Sequence, residues 1–323
     1  MTETVLRPYR GTDEPALIEL WNAAMAYDRL NASTFRTRVL LDANFNPDGL
    51  LVAAESRANG KADGELRGFV LSIARQVPLF LQGLESEASW ITAFGVHPQH
   101  RRQGIGRLLF DATLTRLSSL GRQRVLISPY TPNYFIPGVD VDAYAEAMAF
   151  LQATGWQTAS TPISMRTELT GIPDDILELE ERRANEDRII VRPVQPADLP
   201  ELMPFIAKRF GWDWFRLAQE YLLELFGPGS DEICFLVARR GDGIVGYCQQ
   251  RRERFGPFGV MEELRNQGIG RLLLFRCLSS MLTKGFHCAW SLWTGQAAAR
   301  LYSLAGFKQV RQFAVMKKEL ELY

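Results

Sequence analysis

The segment Gly95-Val-His-Pro-Gln-His-Arg-Arg-Gln-Gly-Ile-Gly-Arg-Leu-Leu returns later in the chain as Gly259-Val-Met-Glu-Glu-Leu-Arg-Asn-Gln-Gly-Ile-Gly-Arg-Leu-Leu. The offset is constant, 164 positions from Gly104 to Gly268, so the chain holds two copies of one unit. Each copy reads as a strand ending in valine, a polar loop with Gly-x-Gly, and an amphipathic helix. Such a corner points backbone N–H groups and the positive end of a helix at an anion. That suits the pyrophosphate of a nucleotide-like cofactor.

The repeat extends beyond this core. Leu6-Arg-Pro-Tyr-Arg-Gly-Thr-Asp and Val191-Arg-Pro-Val-Gln-Pro-Ala-Asp both predict a strand and then a helix start capped by Asp13 or Asp198. Ala153-Thr-Gly-Trp156 mirrors Leu304-Ala-Gly-Phe307, a helix stop followed by an aromatic that opens a strand. Strand pairs are expected at Leu50–Ser56 with Leu66–Arg75 and at Ile233–Arg239 with Ile244–Gln250. The turn between the first two is Ala58-Asn-Gly-Lys-Ala-Asp-Gly.

Each half thus alternates strands and helices, which predicts an α/β protein: two tandem domains, each a mixed sheet flanked by helices. The expected division is 1–169, a charged and partly helical connector 170–187, and 188–323. The first copy carries extra material, Tyr130-Thr-Pro-Asn-Tyr-Phe-Ile-Pro-Gly-Val-Asp140. Two prolines and exposed-looking aromatics predict an ordered loop, and long ordered loops often border binding sites.

Composition narrows the function classes. With 37 Lys+Arg against 37 Asp+Glu, no excess charge favours nucleic acid. No apolar run is long enough to span a membrane, and the N-terminal residues do not read as a signal peptide. The four cysteines form no C-x-x-C pair; Cys234, Cys248 and Cys288 sit in strand-like stretches and read as buried free thiols. His97, His100 and His287 are too scattered for a metal site. A reducing cytoplasm fits best.

In the loops, Gly104 and Gly106, or Gly268 and Gly270, let the backbone approach phosphate oxygens with no Cβ in the way. Arg101 and Arg102, or Arg265 alone, add charge. Hydrogen bonds to a charged group contribute about 1.5–3 kcal/mol each, so several amides make a useful anchor. Downstream, Ile105, Leu108, Leu109 and Ala112 recur at helical spacing, as do Ile269, Leu272, Leu273 and Met281. A dinucleotide fingerprint would need a third glycine where Leu109 and Leu273 stand, and a P-loop would need Gly-Lys-Ser/Thr. Neither is present. A glycine turn used only for packing would not require Arg-x-x-Gly-x-Gly in both copies.

Val96-His-Pro98-Gln-His-Arg101-Arg-Gln-Gly104-Ile-Gly106, after a strand and before a helix, resembles the acetyl-CoA-binding motif of the GNAT superfamily of N-acyltransferases. Val260 to Gly270 matches it except that Glu262 stands where proline is usual. The resemblance spans nearly the whole chain as two tandem domains, distantly similar to mycothiol synthase-like two-domain GNATs. It implies acetyl-CoA as cofactor and a splayed sheet whose fourth and fifth strands part to admit the pantetheine arm. Here these are Ser89–Val96 with Arg124–Pro129, and Phe255–Val260 with Phe286–Leu292. The cofactor would meet Phe94, Val96, Arg101, Arg102, Gln103, Gly104, Ile105 and Gly106 in the first copy. In the second it would meet Val260, Arg265, Asn266, Gln267, Gly268, Ile269 and Gly270.

The resemblance further implies direct attack of a primary amine on the thioester, with a tyrosine protonating the departing thiolate. That tyrosine is commonly four residues before the Gly-aromatic pair. The second copy has Tyr302 there; the first has Leu151, with Tyr144 two helical turns earlier and expected to point elsewhere. The expectation is therefore catalysis in the second copy by Tyr302, with Glu253 as base and no metal. Tyr302 equally fits an ordinary packed helix residue, and Glu253 a surface residue among arginines. Trp212, Trp214, Trp290 and Trp293 could line an acceptor pocket or belong to the core. The expected acceptor is a small-molecule or peptide amine. The tandem acts as an internal pseudo-dimer or as a homodimer. A catalytically silent acyl-CoA-binding module is the competing function.

Overall fold

The computed structural model describes residues 3–56, 64–170, 178, 188–227 and 229–321. Apart from Thr170 and Glu178, the connector expected at Thr170–Asp187 lies outside the described residues. So does the Ala58–Gly64 turn up to its last glycine. Two compact units emerge: unit 1 is Met1–Thr161 with Phe313–Tyr323, and unit 2 is Pro162–Gln312.

In unit 1, β1 (Thr4–Pro8) leads to α1 (Glu14–Ala24) and a single turn, α2 (Ala32–Phe35). An antiparallel meander follows, β2 (Leu50–Glu55), β3 (Leu66–Ile73) and β4 (Ala88–Val96). After α3 (Ile105–Ser119), β5 (Arg124–Ile127) runs parallel to β4. Then come a short β6 (Val139–Asp140), α4 (Ala145–Ala153) and β7 (Gln157–Ser160).

Unit 2 repeats the plan. It contains β8 (Ile163–Glu168), β9 (Ile189–Pro193), α5 (Leu199–Phe210), α6 (Trp212–Phe226), β10 (Ile233–Arg240) and β11 (Gly243–Arg251). They are followed by β12 (Arg254–Val260), α7 (Ile269–Thr283), β13 (Cys288–Thr294), α8 (Gln296–Ser303) and the start of β14 (Lys308–Glu319). This is the mixed α/β architecture expected from the alternation of patterns.

The contact units depart from the linear division at 169 and 188. Beside β5 in unit 1 lies the end of β14, with Met316 opposite Ile127 and Glu319 opposite Arg124. Beside β13 in unit 2 lies β8, with Cys288 opposite Glu168. The last strand of each sequence repeat therefore completes the sheet of the other. Edge pairing is a long-range choice, and a strand's own pattern does not name its partner.

Each sheet is covered on both faces. In unit 1, α1 buries Leu17, Leu20 and Trp21, and Trp21 stacks on Phe69 at 5.0 Å. On the opposite face, α3 and α4 bury Ile105, Leu109, Phe110 and Leu151. Each such side chain contributes about 1.5–3 kcal/mol on leaving water. Leu108, expected in the apolar stripe, is instead 45% exposed. All four cysteines are free and buried.

Asp13 and Asp198 do not cap the helices forward. Each carboxylate turns back, Asp13 accepting from the Arg10 N–H at 2.8 Å and from both Arg7 Nη atoms at 2.6 and 2.8 Å. Asp198 does the same with the Gln195 N–H at 2.8 Å and with Arg192 at 2.7 Å twice. A short 3-10 turn precedes each helix, so the nearest donors lie behind the aspartate. Among the described residues no helix is long and apolar enough to cross a membrane.

Candidate functional site

The two glycine loops have one backbone. Gly104 and Gly268, the N-caps of α3 and α7, hold φ of +82° and +83°. The residues two before them, Arg102 and Asn266, hold +61° and +63°. Left-handed backbone at a non-glycine costs energy, so two such residues in matching places mark an enforced geometry. A Cβ on Gly104 would meet nothing within 4 Å, so the first loop opens outward. Glu262, where proline is usual, does not alter the path: Pro98–His100 and Glu262–Leu264 form the same 3-10 turn. The first amides of α3 and α7 have no acceptor within their helices, as at any helix start.

Beyond the loops the units differ. In unit 1 the ladder between β4 and β5 runs from Ala88 opposite Arg124 to Ile91 opposite Ile127 and stops. The register with β3 slips there, leaving Thr92 as the extra residue of a bulge. From that point a cleft of about 980 Å³ opens, lined by Thr92–Val96, by Arg101, Arg102 and Gly104 to Arg107, and by α4, but not by Gln103. The Thr92 hydroxyl is buried without a partner among the described residues. Phe94 packs edge-on against Phe110 at 5.0 Å. Arg101 donates to Glu146 at 2.8 Å.

Met25–Tyr27, Ser128, Ile136, Gly138, Val139 and Tyr144 also line this cleft. Its place two helical turns before Leu151 predicts that Tyr144 lies inside α4 and points elsewhere along it. It is instead the N-cap of that helix, and its hydroxyl donates to Asp28 Oδ2 at 2.6 Å. Tyr27 stands edge-on to it at 6.0 Å.

The inserted loop is ordered, as expected, but its first aromatic is not exposed. Tyr130 is 1% exposed and donates to Asp42 at 2.9 Å, while Asn44 donates to the Tyr130 oxygen at 2.8 Å. Asn133 donates to the second Asp42 oxygen at 2.6 Å, and the Arg75 guanidinium lies 5.1 Å from the Tyr130 ring. Burial, with Asp42 alongside, pushes the Tyr130 phenol well up. No local sequence signal marks Asp42, Asn44, Asp28 or Tyr144, since each pairing joins residues far apart in the chain.

In unit 2 the β12–β13 ladder is reduced to Arg254 opposite Trp290. The space next to the loop is filled more closely. A Cβ on Gly270 would meet Leu301 at 3.3 Å, whereas on Gly106 the nearest neighbours, Phe150 and Val96, lie at 3.8 Å.

Tyr302 is 5% exposed and packs against Phe307 at 5.2 Å, Phe255 at 5.4 Å and Phe258 at 5.7 Å. Burial pushes its phenol far up, against the pull of a hydrogen bond with Ser291. Glu253 sits in the tight turn between β11 and β12, its carbonyl accepting from the Trp290 N–H at 2.9 Å. Its carboxylate meets the Cys288 thiol, which burial and that bond push up. Tyr302 and Glu253 thus touch β13 three residues apart, about 10 Å along the strand.

Arg265 pairs with Glu262 at 3.5 Å. Trp214 stacks on Phe210 at 5.1 Å, Trp212 packs on Phe215, Trp290 lies beneath Arg254, and Trp293 is 39% exposed. These four do not converge on one pocket wall. Among the described residues no cluster could hold a metal ion.

Known proteins match both repeats. A model described as the acetyltransferase (GNAT) family matches residues 15–134, and one described as an acetyltransferase (GNAT) domain matches 231–309. Together they take in more than half of the chain. Mycothiol acetyltransferase of Corynebacterium glutamicum is 37% identical over 89 residues, 24% of this chain and 30% of that protein. The match therefore spans under a third of that relative.

Among solved structures, a GCN5-related glucosamine N-acetyltransferase region of a fungal multi-domain GH3 β-N-acetylglucosaminidase superposes with a TM-score of 0.76. It is 19% identical over 98% of this chain and 38% of that one. A tandem GNAT protein from the clavulanic acid biosynthesis pathway gives 0.61, with 14% identity over 98% of each chain. These two likenesses show the fold.

Proposed function

The chain belongs to the acetyltransferase (GNAT) family in both of its repeats, and from that premise we propose that it is an acetyl-CoA-dependent N-acetyltransferase. Its acceptor is the primary amine of a small molecule or peptide, and unit 1 is the working site. One observation carries the choice of unit: the open cleft running from the splayed end of β4 to the glycine loop. The matched region of unit 2 supports a second reading only through its identical loop backbone. There Tyr302, the expected acid, lies among packed aromatic rings.

The residues of unit 1 suit the cofactor. Amides from Arg102 to Gly106 offer a cradle for the diphosphate, with Arg101, Arg102 and Arg107 adding charge. Beyond Ile91 the edge of β4 has no strand partner on the cleft side, so its N–H and C=O groups are available to a pantetheine amide. Bound acetyl-CoA supplies an acyl group activated as a thioester.

The chain's own part is to orient the amine, exclude water and move protons. The buried Thr92 hydroxyl can donate to a carbonyl oxygen at the bulge. The Tyr144–Asp28 pair accepts a proton from an incoming ammonium at Asp28 and can return one from the phenol.

The test is release of free CoA thiol with an amine panel. Gly104→Glu, which puts bulk and negative charge where phosphate would sit, should lower turnover by about 100-fold or more, equivalent to losing one or two charge-assisted bonds. Gly268→Glu should leave it within a few-fold. The opposite result would return catalysis to unit 2. Tight CoA binding with no turnover on any amine would favour the silent acyl-CoA-binding module.

A further inference from the structure

The second repeat departs from the first along one interior row. The strands β3 and β11 can be matched through their ladders, since Phe69 faces Gly95 as Tyr247 faces Gly259. On that register the same-face positions Phe69, Leu71 and Ile73 correspond to Tyr247, Gln249 and Arg251. In unit 1 the row is apolar and closed, 0%, 2% and 4% exposed. In unit 2, Tyr247 and Gln249 are both 0% exposed, and so is Tyr221 on the covering helix α6.

Four polar atoms of these three side chains have no hydrogen-bond partner among the described residues: both phenol oxygens and both ends of the Gln249 amide. Buried polar atoms are nearly always paired, and leaving them unpaired opposes folding. The fold does not require them, because unit 1 builds the same row from Phe, Leu and Ile.

Tyr247 and Gln249 alternate along β11, and Tyr221 belongs to the same core cluster as Tyr247. The Arg251 guanidinium lies 4.7 Å from the Tyr221 ring centre. Burial raises the pKa of both phenols, so each remains an O–H donor. At the end of the row Arg251 is 40% exposed and already paired with Glu224 at 3.2 Å, so the cation there is offset.

We infer that Tyr221, Tyr247 and Gln249 form a binding site in unit 2 for a small uncharged molecule bearing amide or hydroxyl groups, entered from the Arg251 end. Two phenols and a carboxamide present donors and an acceptor together, the complement of such a ligand. The inference is independent of the acetyl-transfer reading, which assigns these residues no role.

The test uses the full chain and the variant Tyr247→Phe/Gln249→Leu, which copies the apolar row of unit 1. Acetamide, nicotinamide and glucose serve as probes, read by saturation-transfer NMR alongside thermal unfolding. The expected result is a variant that unfolds at or above the wild-type temperature, while a probe signal present in the wild type disappears. Three results would overturn the inference: no probe signal in the wild type, equal signals in both proteins, or a variant that fails to fold or unfolds roughly 4 °C or more below wild type. The last would mean that these polar groups support the structure itself. Gln249→Leu alone, judged by the same criteria, separates loss of the site from an accumulated packing defect.

Discussion

Tyr144 and Tyr302 show how one side-chain type takes its role from its surroundings. The Tyr144 hydroxyl meets a carboxylate at the wall of an open cleft. That of Tyr302 is enclosed by three phenylalanines and tied to Ser291. Tyr144→Phe should lower kcat by about 10- to 100-fold and leave KM for acetyl-CoA nearly unchanged, as for a lost proton-transfer group. Tyr302→Phe should keep turnover within about twofold and lower stability by about 0.5–1.5 kcal/mol, the worth of one hydrogen bond. Steady-state kinetics and urea unfolding read both.

Asp198 yields a prediction of another kind. Hydrogen bonds from Arg192 hold its carboxyl below the ordinary range, although desolvation opposes them. Its folded pKa is therefore below its unfolded one. The stability it contributes is present above about pH 4 and is lost as pH falls through the folded value. Thermal unfolding between about pH 5 and pH 3 should show a steeper decline in the wild type than in Asp198→Asn.

At the scale of elements, the inserted loop depends on one carboxylate. Asp42 accepts from Tyr130, Asn133 and the Asn44 N–H, and the Asn44 side-chain oxygen in turn accepts from the Gln76 and Val77 N–H groups at 2.6 and 2.7 Å. Asp42→Ala leaves buried donors unpaired, so a loss of about 1–3 kcal/mol is expected. A rise in acceptor KM should accompany it, because Ile136, Gly138 and Val139 line the cleft.

The glycine corners were legible in the sequence because their signal is local: Gly-x-Gly, a strand before and a periodic helix after. The order of the inserted loop was legible too, from its prolines. What anchors it was not, because Tyr130 and Asp42 are 88 positions apart. Nor was the start of α4, on which the placement of Tyr144 turns. A helix boundary one residue either way rotates a side chain by about 100°.

For the whole molecule, the composition of each unit bears on how it can be cut. Phe313, Ala314, Val315 and Met316 are at most 3% exposed and belong to unit 1. A fragment 1–169 lacks them and leaves one edge of β5 open. It should aggregate or unfold at a much lower temperature than the full chain. Appending residues 311–321 after position 161 through a short glycine–serine linker should restore cooperative unfolding, measured by circular dichroism.

The duplication, the α/β alternation, the two glycine corners and the family all follow from the sequence by itself, because each is carried by a pattern that is local within one copy. Tertiary structure alone decided which corner opens onto a cleft, which tyrosine reaches it, and which strand closes each sheet. Those outcomes depend on packing and edge pairing between distant segments. There the same local pattern finds a lower free energy with whichever partner the rest of the fold brings alongside.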